Sequence, residues 1–214
     1  MKKVLLTAGL VLAAVTASAT PFKGTYVGVK GSYMPGFMNS EARYSISGTT
    51  AGIDVNLKNW EANFLAGQWF QCADWSYALE GQVGRGISDS SQDKTIRGTA
   101  YKVKTQRLWT AGVAGRLGQT VANNVLAYGR LGLHANQIQT KFSDVRASKT
   151  DKFVSWAIAP GAGVEWAFAD NMSARFEYTY EYSMNKRNFS YDAHKVSLKN
   201  PQTHQLSVAV SYAF

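Results

Sequence analysis

From Leu206 onward the chain alternates without a break: Leu206, Val208, Val210, Tyr212 and Phe214 take every second position, with Ser207, Ala209 and Ser211 between them. A period of two describes a β-strand with one apolar face and one small or polar face. The pattern recurs upstream. Over 173–184, Ala174, Phe176, Tyr178, Tyr180 and Tyr182 oppose Arg175, Glu177, Thr179 and Glu181. Over 153–168, Val154, Trp156, Ile158, Pro160, Ala162, Val164 and Trp166 oppose Ser155, Ala157, Ala159, Gly161, Gly163 and Glu165. Over 75–84, Trp75, Tyr77, Leu79 and Val83 oppose Ser76, Ala78, Glu80 and Gln82. Weaker alternation over 24–34, 60–70, 105–117 and 125–136 brings the count to eight.

The connectors alternate in length. Short links fall at 71–74, 118–124 and 169–172, and long ones at 35–59, 85–104, 137–152 and 185–201. Short turns on one side and long loops on the other are the layout of an outer-membrane barrel. Which face points outward decides between that and a soluble barrel. The interior of an eight-stranded barrel is only wide enough for side chains to fill it. Trp60, Phe64, Trp75, Tyr77, Trp109, Trp156, Trp166, Phe176, Tyr178, Tyr180, Tyr182, Tyr212 and Phe214 are too many to fit inside. They face out, with Trp and Tyr near the strand ends as interfacial girdles. The opposite faces carry Lys30, Glu61, Glu80, Arg116, Arg130, Glu165, Arg175, Glu177 and Glu181. Four cations and five anions nearly balance, as expected of a salt-bridged lumen that conducts poorly.

The N-terminus agrees. Lys2 and Lys3, the apolar run 4–15, and Ala17-Ser18-Ala19 make a signal peptide with an A-x-A cleavage site. Domains are therefore expected at 1–19 (signal) and 20–214 (barrel). Past Ala19 no apolar run approaches the roughly 18 residues of a helical span. Membrane crossing must be by strands, because only helices and closed barrels satisfy their backbone in lipid. A mean hydropathy of −0.21 is ordinary for two-faced strands. The 23 Lys+Arg against 14 Asp+Glu make the chain basic. Without a basic helix or a nucleic-acid motif, and with export expected, nucleic acid is not an expected partner. Cys72 stands alone and forms no internal disulfide.

The segments GTYVGVKGSY (24–33), GAGVEWAF (161–168), DNMSARFEYTY (170–180) and the terminal SYAF resemble the small eight-stranded outer-membrane β-barrel family. That family includes OmpA-type transmembrane domains, opacity-type surface antigens and porin-like surface antigens. The resemblance implies a closed eight-stranded antiparallel transmembrane barrel with short periplasmic turns and four long extracellular loops. It implies lipopolysaccharide and outer-membrane lipid as surroundings, and assembly machinery that reads the last strand at Tyr212 and Phe214. The sequence ends at the barrel, so the peptidoglycan-binding domain of full OmpA proteins is not expected.

Site candidates divide between lumen and loops. The lumen charges are expected to pair with one another. Deacylase barrels of similar size use a His-x-Ser pair on one strand face, but His134, His194 and His204 each lack Ser two residues on. No enzyme activity, cofactor or metal is expected. The loops over 85–104, 137–152 and 185–201 together hold thirteen Lys+Arg against five Asp. Lys94, Arg97, Lys102, Lys186, Arg187, Lys195 and Lys199 are candidates for binding lipopolysaccharide phosphates or host-surface polyanions. The expected role is a non-enzymatic surface protein serving envelope integrity or adhesion. A narrow small-solute channel is the alternative, and a lipid-modifying enzyme a more distant one.

Overall fold

The computed structural model describes residues 22–46, 49–72, 74–87, 90–96, 99–122, 124–143, 148–184, 187–191, 194–198 and 202–214; within 36–58, 88–103, 142–149 and 185–201 it describes strand backbone alone. Among the described residues eleven strands follow one another: β1 (Gly24–Ile46), β2 (Thr49–Cys72), β3 (Trp75–Gly86), β4 (Ser90–Ile96), β5 (Thr99–Ala122), β6 (Val125–Ser143), β7 (Ser148–Ala169), β8 (Met172–Ser183), β9 (Arg187–Tyr191), β10 (His194–Leu198) and β11 (Gln202–Ala213).

Eight of them, β1, β2, β3, β5, β6, β7, β8 and β11, pair with sequence neighbours in antiparallel fashion, and β11 returns to β1. That last seam, from Tyr26 opposite Ala213 to Tyr33 opposite Leu206, closes the ring, so that each of these eight strands has a partner on both sides within it. The other three strands are continuations. β4 prolongs the line of β3 along β5, and β10 pairs with β1 above the β1–β11 seam while β9 pairs with β10.

The long connectors differ from the loops expected at 35–59, 85–104, 137–152 and 185–201. Each is largely a hairpin continuing the barrel strands: β1 and β2 stay paired up to Ile46 opposite Thr49, and β6 and β7 up to Ser143 opposite Ser148. Strand pairing satisfies the backbone there, so the tall hairpins need no loop chemistry of their own.

Burial follows the alternation. In β11 and β8 exposed and buried residues alternate along the strand. Phe64 is 70% exposed and Phe176 51%, whereas Glu80 is 1% exposed and Glu177 0%. Such a surface, apolar outside and charged within, is stable only when its outer face meets lipid. The tight turns end in aromatic pairs, Phe70 with Tyr77, Trp166 with Phe168 and Tyr212 with Phe214, at centroid separations of 5.2, 5.7 and 5.3 Å. Trp60, packed on Tyr33 at 4.7 Å, with Trp109 and Trp156, marks the hairpin side. The two belts are the interfacial girdles of a membrane barrel.

Candidate functional site

The lumen is layered. At the turn side Phe22, Tyr26, Trp69, Ala78, Leu126, Tyr128 and Ala167 form a buried apolar cluster. At the hairpin side Met34, Ile138 and Phe153 also turn inward and are buried. Between these ends lie the charges.

The lower charged layer centres on Arg116. Its guanidinium carbon is 4.3 Å from the ring centroids of both Trp69 and Tyr128, so the cation rests among aromatic rings of the apolar cluster. Its Nη1 donates to Glu80 Oε2 and to the Tyr26 hydroxyl, each at 3.2 Å, and its Nη2 pairs with Glu165. Glu80 Oε2 also accepts from the Tyr26 hydroxyl and from Arg175 Nη1, both at 2.7 Å. Ser173 donates to the other Glu165 oxygen at 2.6 Å. Glu177 accepts from Tyr128 at 3.0 Å and pairs with Arg130 at 3.3 Å and Lys30 at 3.8 Å.

Two glycines give the tyrosines room. A Cβ on Gly67 would meet the Tyr26 hydroxyl and ring, and one on Gly163 would meet those of Tyr128. A larger residue at either place would displace a phenol that holds a carboxylate.

The upper layer contains a residue that the alternation hid. Arg107 is 1% exposed and bridges Glu61 at 3.1 Å and Glu181 at 2.7 Å. By simple parity with the outward Trp109 it belongs on the lipid face. A register shift between Arg107 and Trp109 turns it inward. An extra residue of this kind reverses the face of everything beyond it. The available signal was the cation itself, since an arginine in phase with an outward tryptophan is costly in lipid. With Arg107 the buried charges among the described residues are five cations and five carboxylates, which corrects the expected four against five.

His134 joins the layers. Its Nδ1 lies 2.7 Å from Glu181 Oε1 and its Nε2 3.3 Å from Gln82 Nε2, while Lys30 donates to Gln82 Oε1 at 2.6 Å. With the Gln82 oxygen held by Lys30, its amide N–H donates to His134 Nε2. The imidazole proton then sits on Nδ1, facing Glu181. A neutral ring satisfies both contacts.

All nine lumen residues singled out in the sequence, Lys30, Glu61, Glu80, Arg116, Arg130, Glu165, Arg175, Glu177 and Glu181, are buried and take part in these pairs. Tyr212 lies on the outer face and packs edge-on against Phe214. Of the loop candidates, Lys94, Lys102, Arg187 and Lys195 lie on described strand backbone, their side chains outside the described set. Arg97, Lys186 and Lys199 lie outside the described residues, as do Ala17 and Ala19. His204 is on the outer wall, 2.7 Å from the Tyr178 hydroxyl, and Cys72 is exposed at the end of β2. Among the described residues no group of three His, Cys, Asp or Glu is placed to hold a metal ion.

Residues 4–214 match the family model described as "Outer membrane protein beta-barrel domain". The "31 kDa outer-membrane immunogenic protein" of Brucella melitensis is 24% identical, aligned over 89% of this chain and 83% of its own length. The "22 kDa outer membrane protein" of Rhizobium leguminosarum bv. viciae is 27% identical over 84% of this chain and 77% of its own. Among solved structures, a major outer membrane protein from Thermus thermophilus shares the fold at a TM-score of 0.50 and 10% identity, covering 89% of this chain and 100% of that one. A closed ring of two-faced strands, lipid-suited outside and charged within, together with these likenesses, places the chain in the bacterial outer membrane. It belongs to the outer membrane protein beta-barrel domain family.

Proposed function

We propose that the protein is a non-enzymatic, non-conducting surface barrel that acts through its extracellular hairpins, in envelope integrity or adhesion. One observation carries this reading. The lumen is occupied along its length by the apolar layers and the paired charges between them, so the strands supply a scaffold and the hairpins remain for recognition.

In this reading the precursor is cleaved after Ala19, and Tyr212 and Phe214 are presented to the assembly machinery. Lys94, Arg97, Lys102, Lys186, Arg187, Lys195 and Lys199 give the hairpins a basic character suited to polyanions, either lipopolysaccharide phosphates or sulfated host glycans. Replacing these seven by Gln in the full chain is expected to abolish retention on heparin at low salt and to leave barrel folding intact. Retention equal to wild type removes the polyanion part of the proposal. Complementing a deletion strain with a barrel of shortened hairpins tests the rest. Surface phenotypes should be lost with the hairpins and kept by lumen variants that still fold. An altered lipid A mass on overexpression would instead indicate an enzyme.

A second reading, a narrow channel for small solutes, draws on a specific feature. Nε and Nη2 of Arg130 and of Arg175, and Oε1 of Glu80, have no protein hydrogen-bond partner. Such groups suit a thread of water along the lumen.

A further inference from the structure

The charge balance of the lumen is uneven from place to place. Among the described residues, Arg116 and Arg175 stand around Glu80 and Glu165, two against two. Glu177 stands between Arg130 at 3.3 Å and Lys30 at 3.8 Å, one carboxylate for two cations. The converse lies higher, where Arg107 serves both Glu61 and Glu181. The surroundings of Glu177 therefore carry one buried positive charge that no carboxylate beside it matches, and a desolvated charge left so is costly.

Arg130 has donors to spare. Its side chain is wholly buried, and its Nη1 is the nitrogen that faces Glu177 and, at 3.4 Å, Thr179 Oγ1. Nε and Nη2 have no protein hydrogen-bond partner. Those two nitrogens form one edge of the guanidinium, with two N–H bonds pointing the same way. Arginine takes an anion bidentately through such an edge.

Small residues surround that edge. Gly132, the next inward residue on β6, lies between Ala114 of β5 and Ala159 of β7 in the ladder, and all three are buried. A Cβ on Gly132 would stand 3.4 Å from Arg130 Nη2 and 3.1 Å from His134 Nε2. The lone pair of that imidazole nitrogen is already taken by the Gln82 amide N–H. Gln205 of β11 stands opposite Thr179, the residue that Arg130 reaches. It is 1% exposed, and both polar atoms of its amide lack a protein partner.

We propose that the Nε/Nη2 edge of Arg130, joined by the amide N–H of Gln205, binds one small monovalent anion inside the lumen, a halide or an ion of nitrate size. The anion supplies the negative charge that Glu177 alone does not, and holds Arg130 as part of the plug. The site lies inside the strand wall and takes a single small ion, so it stands or falls separately from the role of the hairpins. Where the channel reading puts water at this edge, the proposal puts an ion.

The test uses the protein refolded into detergent micelles in sodium bromide and crystallised, with diffraction recorded at the bromine absorption edge. An anomalous peak is expected in the lumen beside Nε and Nη2 of Arg130. Equilibrium dialysis against bromide gives the second readout. Arg130→Lys keeps the charge and loses the edge, and is expected to bind bromide about tenfold more weakly. Should that variant fail to fold, Gly132→Ala serves, because it keeps every charge and sets a methyl beside the edge; binding weaker by about fivefold is expected. Density at the edge without an anomalous signal, which is water, overturns the proposal, as does bromide found at the protein surface only. Bromide binding equal to wild type in a folded Arg130→Lys variant overturns it too.

Discussion

Arg116 of β5 and Arg130 of β6 stand directly opposite each other in the barrel wall, and both point into the lumen. Their repulsion is resolved by separate partners: Arg116 serves Glu80 and Glu165, and Arg130 serves Glu177. The pair is tolerable only because every carboxylate is in place. Removing one member of a buried ion pair leaves its partner desolvated and uncompensated.

Arg116→Ala therefore has a specific expected cost. It takes the ion pair from Glu165, while Glu80 keeps Arg175. Stability should fall by about 3–5 kcal/mol, read as a lower urea midpoint for the folded barrel. Arg130→Ala should lower the midpoint less, because Lys30 remains 3.8 Å from Glu177. An Arg116→Ala midpoint equal to wild type would show that the network is not what holds the lumen together.

Arg107 gives a test of charge balance. Arg107→Met leaves Glu61 and Glu181 in the same layer with one cation fewer, and should destabilise the barrel. Adding Glu61→Gln restores the balance. The double variant should be more stable than the sum of the two single losses implies, by about 0.5–3 kcal/mol of coupling. Strict additivity in a double-mutant cycle would mean that the two residues do not interact.

The strand pattern shows why the fold was legible in the sequence and Arg107 was not. Strands such as 153–168 and 173–184 carry an unbroken period of two, so parity alone sorts Trp156 outward and Glu177 inward. Parity also sorted all nine of the lumen charges named from sequence. It fails at an inserted residue, and the register shift between Arg107 and Trp109 depends on pairing with β6, which no local pattern records. The tall hairpins were hidden for a related reason. Segments such as 36–46 lack clean alternation, and their strand character comes from the partner across the ladder. Nor does the sequence reveal that Gln82 links Lys30 to His134, a relation between three strands.

Glycine positions separate close approach from open space. Gly163→Val would drive a side chain into the Tyr128 ring and its hydroxyl, pulling Tyr128 from Glu177 and from its place beside Arg116. A loss of about 1–3 kcal/mol is expected. Gly115 and Gly129, which have nothing within 4 Å of a built Cβ, should accept Ala with a change within about 0.5 kcal/mol. Equal midpoints for Gly163→Val and Gly129→Ala in urea would refute this placement of Tyr128.

Export and closure make a joint prediction. N-terminal sequencing of the mature protein should begin at Thr20, and the folded product should migrate faster than the boiled one in SDS, since closing β11 on β1 leaves the eight-strand ring without an edge from which to unravel. A different first residue rejects the cleavage site. Identical mobility with and without boiling rejects a closed barrel of this stability.

The filled lumen is the centre of the account, and single-channel recording of the folded protein in a planar lipid bilayer tests it most directly. With Arg116 set among Trp69, Tyr128 and Glu165, and Arg107 bridging Glu61 and Glu181 above it, wild type is predicted to give no resolved openings at neutral pH. Discrete, reproducible conductance steps from the wild-type barrel would contradict that, and would favour the channel reading over the proposed role of the hairpins.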